Sequence, residues 1–146
     1  MNHILLIIHI LAATIWVGGH LIISFRILPE AIKRKNVAGL LEFEKKYEVI
    51  GLPALLLLVI TGIWMSLNYG IPLSQWLSFS SGIETVVSCK LLLLIITFVL
   101  ALHARLVLIP NLKPERLVFL TLHIFAVTAI GITMLILGTF VRYGGI

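Results

Sequence analysis

Cysteine is nearly missing from this chain. Cys89 is the only one in 146 residues, which excludes an internal disulfide and any Cys-x-x-Cys metal site. Charge is scarce too, at 12% of residues. The six acidic residues fall in expected loops or near span ends, so carboxylate-based ion transport or hydrolysis is not expected. There is no Gly-rich phosphate loop, no nucleophile elbow, no His-Glu-x-x-His and no paired carboxylates. No repeat at a fixed period and no low-complexity tail is present. Met1-Asn2-His3 carries no Lys or Arg, and the first apolar run is too long for a signal-peptide core, so no cleavable signal is expected.

What fills the chain is apolar side chain, 60% of all residues, with a mean hydropathy of +1.16. A soluble domain of this length cannot hide that much, so the excess must face lipid. The composition suffices for a single domain of about four spans of ~20 residues. The apolar runs lie at about 4–25, 49–67, 86–109 and 117–141. Between the first two is a charged, helix-prone segment, 26–48, expected to be a connector with an amphipathic helix on the membrane surface. Within it, Glu42 and Lys46 are placed for an i,i+4 pair. Pro53 is expected in the first turn of span two, where a missing N–H costs little. The stretch "NYGIPLSQWLSFSSG" (68–82) reads as a loop at the membrane interface, and "PNLKPER" (110–116) as a short turn.

The net charge of +5 invites a nucleic-acid reading, but the basic residues sit between apolar runs. Arg26, Lys33, Arg34, Lys35, Lys45, Lys46, Lys113 and Arg116 occupy the loops after spans one and three, whereas the loop after span two has no Lys or Arg. The positive-inside rule puts those two loops in the cytoplasm and both termini outside it. The expected fold is an all-α, four-helix, up-down membrane bundle in contact with the lipid bilayer, with no nucleic-acid partner.

With direction fixed, depth follows from a rise of ~1.5 Å per residue. His9 and His20 are eleven residues apart, which returns both imidazoles to one helix face about 16 Å apart in depth. Span four repeats the interval as His123 and Met134, running the other way. An inner tier thus contains His20, His103 and His123, with Arg105 at its boundary. An outer tier contains His9, Met134 and Lys90, with Cys89 and His3 nearby. Span two offers only Thr61 and Trp64. Polar groups in hydrocarbon are costly, which makes the histidines functional candidates. Each also has an ordinary reading: a hydrogen bond across the bundle for a histidine, core filler for Met134, snorkelling for Lys90, packing for Trp16 and an interface anchor for Trp64.

Neutral imidazole serves haem iron, copper and zinc. Histidines on facing helices can clamp a haem, and a His/Met pair is also an axial set. The first reading is therefore a b-type cytochrome carrying one or two haem b groups and moving electrons, with quinone or another redox partner. In it Gly18 and Gly19 give a macrocycle room (or simply pack helices closely), and Arg105 or Arg26 meets propionates. The rival is copper, held as Cu(II) by three histidines at one level, or as Cu(I) by the His, Met and Cys side chains of the outer tier.

The stretches "HILAATIWVGGHLIISFRILPEA", "FEKKYEVIGLPALLLLVITGIW", "KLLLLIITFVLALHARL" and "LHIFAVTAIGITMLILGTFVRYGGI" resemble the copper-resistance D (CopD) family of bacterial inner-membrane proteins. His9, Trp16, Gly18 and Gly19 carry the most specific part of the likeness. The resemblance implies an inner-membrane location and a role in copper uptake or resistance, often alongside a periplasmic copper-binding protein. The unit is also similar, more distantly, to haem-binding membrane protoporphyrinogen oxidases. That likeness would make His9 a functional residue and Lys90 a catalytic one, although the chain reads Leu28-Pro29-Glu30 where that family has Leu-Pro-Arg. A homo-oligomer is compatible with either reading.

Overall fold

A computed structural model describes residues 3–110 and 112–146. Met1, Asn2 and Asn111, which figured in the readings of the amino terminus and of the 110–116 turn, lie outside the described residues. The chain is all-helical, with four helices long and apolar enough to cross a membrane: α1 (His3–Arg34), α2 (Val37–Asn68), α3 (Gly82–Leu108) and α4 (Pro114–Tyr143). Their outward Ile, Leu, Val and Phe side chains are extensively exposed, as lipid contact requires. The chain is a multi-pass membrane protein.

The first two helices are longer than their apolar runs. The charged segment 26–48 is not a separate surface helix: α1 continues to Arg34 and α2 begins at Val37. Only Lys35 and Asn36 make the turn. Lys35 adopts a left-handed conformation (φ 52°), and the Asn36 side chain caps α2 by accepting from the Gly39 N–H at 2.9 Å. Hydropathy reports where a helix leaves lipid, not where it ends, and the Glu30–Arg34 and Glu42–Lys46 pairs help carry both helices onward. Pro53 consequently lies well inside α2 instead of in its first turn.

Two helices contain a π-helical turn, Ile23–Ile27 in α1 and Ala104–Leu108 in α3. Both lie toward the end of the bundle that carries the basic turns, here called the basic end. The residues between α2 and α3 form the expected loop, with a short 3₁₀ turn at Leu73–Gln75.

Helix α1 packs along α2 on one side and α4 on the other, and α3 packs on α4, while α2 and α3 barely meet. At the basic end Ile23, Leu28, Ala31, Leu40, Leu108, Leu117 and Leu120 form one core that joins all four helices. Farther along, Trp16, Val17, Ala54 and Val127 form a second. The buried hydroxyls of Ser24 and Thr128, 2.7 Å apart, fasten α1 to α4. The weak contact between α2 and α3 leaves a gap, and the polar residues of interest surround it.

Candidate functional site

The gap is a cleft of about 350 Å³ whose lining comes from all four helices. Its floor includes Trp16 and His20 of α1 and His123 and Val127 of α4. One wall is the face of α2 carrying Glu44, Tyr47, Glu48, Gly51 and Leu55, and the other is the face of α3 from Thr97 to Arg105. Most of this lining is apolar, with a few polar groups converging on it, the usual character of a ligand site. The Arg105 guanidinium bonds the Glu48 carboxylate across the cleft, between the two helices that otherwise barely touch.

Inside the cleft the hydrogen bonds fix where the protons are. His20 Nδ1 lies 2.9 Å from the carbonyl of Trp16, one turn back on α1. A carbonyl can only accept, so Nδ1 carries the proton and Nε2 keeps its lone pair. The Tyr47 hydroxyl donates to the same carbonyl at 2.6 Å, and Thr97 donates to the carbonyl of Leu93 at 2.9 Å. Tyr47 also stands edge-on to His20, with ring centroids 5.6 Å apart. It reaches this place because Gly19 and Gly51 have no side chains. A Cβ on Gly19 would stand 1.9 Å from the Tyr47 ring, and one on Gly51 2.8 Å from it.

This answers one expectation directly. The room left by Gly19 holds a phenol ring, not a macrocycle, while a Cβ on Gly18 would meet nothing within 4 Å. On the Gly19 side the space is therefore filled by the chain itself, and on the Gly18 side it is open. Trp16 is buried, tilted against His20 and close to Gly131 of α4, as a packing residue would be.

His103 lies beside His123: His103 Nδ1 and His123 Nε2 are 2.9 Å apart, and the rings are nearly parallel at 23°. His123 Nδ1 in turn meets the carbonyl of Phe119 at 2.9 Å, so it is the donor there, and His123 Nε2 must accept from His103. The expected inner tier thus divides into His20 alone and a His103–His123 pair. Among the described residues, no three His, Cys, Asp or Glu side chains come together as a group that could hold a metal ion. The three-histidine site expected for Cu(II) is not assembled.

Toward the opposite end, His9 Nδ1 lies 2.7 Å from the hydroxyl of Thr61 on α2. Thr61 gives its only proton to the carbonyl of Leu57 at 2.5 Å. His9 therefore donates, and its Nε2 too is left with a lone pair. Lys90 of α3 bears on His9 electrostatically, and its Nζ would lie 3.2 Å from a Cβ on Gly138 of α4. His9, Thr61, Lys90 and Gly138 so bring all four helices into one polar level. Met134 and Cys89 are half-buried, and His3 is exposed. Trp64 is exposed at the surface.

Sequence reasoning missed Tyr47, Glu44, Glu48 and Thr97. For α2 the signal was available, since 44, 47, 48, 51 and 55 follow one helical face. The assignment of 26–48 to a connector concealed it, and the glutamates, expected outside the bundle, reach the cleft.

Among proteins of known families, the model described as Copper resistance protein D matches residues 41–141, which take in most of α2, all of α3 and nearly all of α4. No curated protein and no solved structure matches the chain. The family match favours copper over haem b, and neither a cytochrome nor a protoporphyrinogen oxidase finds support in these comparisons.

Proposed function

The chain belongs to the copper resistance protein D family of inner-membrane proteins, and on that premise we propose that it takes copper as cargo, using histidines at two depths of the bundle. The observation that carries this is the chemistry of the cleft. Tyr47, Thr97 and His20 each spend a proton on a backbone carbonyl, and Arg105 is committed to Glu48. Apart from the Arg105–Glu48 ion pair, what these groups leave for a cation is the lone pair of His20 Nε2 and the Glu44 carboxylate. A site of acceptors in an apolar wall suits a cation, and imidazole is a good ligand for copper.

His9 supplies a second nitrogen ligand on the same helix, eleven residues from His20. With the basic turns in the cytoplasm, as the positive-inside rule predicts, His9 would receive copper near the outer face and the cleft would hold it nearer the cytoplasm. A periplasmic copper-binding protein is the donor that fits this direction. Met134 is a candidate thioether on the way.

The test is copper tolerance and cell-associated copper in bacteria expressing the chain. Both should change relative to an empty vector, and His20→Ala should abolish the change while the protein still reaches the membrane. Wild-type protein present in the membrane with no effect on either quantity would contradict the proposal.

A further inference from the structure

We infer that the cargo is monovalent copper, and that His103 and His123 hold it between them as a two-coordinate pair. This rests on the copper reading above and adds an oxidation state, a location and a geometry.

The first argument is ligand number. Zinc and divalent copper are ordinarily satisfied by about four ligands. The described residues nowhere gather even three of the usual side chains. A d¹⁰ monovalent copper ion is content with two nitrogens in line. Among the described residues there is one place where two imidazole nitrogens from different helices face each other, His103 Nδ1 and His123 Nε2, 2.9 Å apart with nearly parallel rings.

The second is that a proton now lies where the ion would go. His123 is held by its Nδ1 bond to the Phe119 carbonyl, so its Nε2 lone pair points at the proton on His103 Nδ1. For the ion to replace that proton, the proton passes from His103 Nδ1 to the Nε2 of the same ring, a change of tautomer that leaves the number of protons unchanged. Both rings stay neutral, no electron is transferred, and one positive charge enters. With metal–nitrogen distances of roughly 2 Å, the two nitrogens must separate to about 4 Å.

The third is that the required movement has a place to occur. His103 is followed directly by the π-helical turn Ala104–Leu108. Such turns interrupt the regular helix and recur at functional sites. His123 sits on an uninterrupted stretch of helix, so His103 is the ring that shifts.

The experiment uses the full chain in nanodiscs, titrated with Cu(I) under a competing chelator, and separately with Cu(II) and Zn(II). X-ray absorption is then recorded on the copper-loaded sample. We expect Cu(I) to bind far more tightly than either divalent ion, with two nitrogen neighbours in the first shell. His103→Gln and His123→Gln should each weaken Cu(I) binding at least tenfold. A first shell of three or four ligands in the wild type, which needs no variant to fold, overturns the inference. So does tighter binding of Cu(II) or Zn(II), or Cu(I) affinity unmoved by both substitutions. Retention of no copper in either oxidation state would instead sink the copper reading on which the inference rests.

Discussion

Thr61 fixes the tautomer of His9. Its hydroxyl proton goes to the Leu57 carbonyl, so the 2.7 Å contact with His9 Nδ1 obliges the imidazole to donate. Partners of this kind orient a ligating histidine, and their loss typically lowers metal affinity by about 10–100-fold. Thr61→Val keeps the volume and removes the acceptor. It should weaken copper binding at the His9 level by about that factor. In the metal-free protein it should turn a single Nδ1–H form of His9 into a mixture, read by ¹⁵N chemical shifts of labelled histidine. An unchanged His9 spectrum would count against the assignment.

Gly18 and Gly19 should behave oppositely although they are neighbours. A methyl at Gly19 collides with the Tyr47 ring, whereas one at Gly18 meets nothing within 4 Å. Gly19→Ala is expected to cost about 1–3 kcal/mol, as overpacked sites do, and to displace the ring that lies against His20. Gly18→Ala should be close to neutral. Thermal unfolding in detergent compares the two, and equal effects would show that the space beside Tyr47 is not decisive.

The Arg105–Glu48 bond spans the cleft between two helices that barely meet. Arg105→Gln should therefore widen access without unfolding the bundle. With Cys89→Ser as background and Thr97→Cys as reporter, labelling by a small thiol reagent should speed up severalfold. Equal rates with and without Arg105 would mean the pair does not close the cleft.

The basic turns predict both termini on the outer side of the inner membrane. A carboxy-terminal alkaline phosphatase fusion should be active, and a fusion placed at Lys35 inactive. The reverse pattern would invert the proposed direction of copper.

The four spans, and a shared level for His103 and His123, were legible in the sequence because hydropathy and a fixed rise per residue determine them. Helix ends were not, since Lys35 and Asn36 make a turn by backbone conformation and capping that no hydropathy window detects. The cleft was also out of reach. It exists because α1 and α4 lie between α2 and α3, and lateral order is a matter of packing. Tyr47, Glu44 and Glu48 became visible only once α2 extended down to Val37. The pairing of His103 with His123 needed helix rotation, which sequence spacing leaves open.

The most direct test of the copper reading is the metal content and visible spectrum of the purified full chain after exposure to copper. Stoichiometric copper, no Soret band, and copper loss on replacing His20, His103 and His123 by alanine are the predicted results. Stoichiometric haem with a Soret band that disappears in His20→Ala, or a wild-type protein that retains no copper, would contradict it.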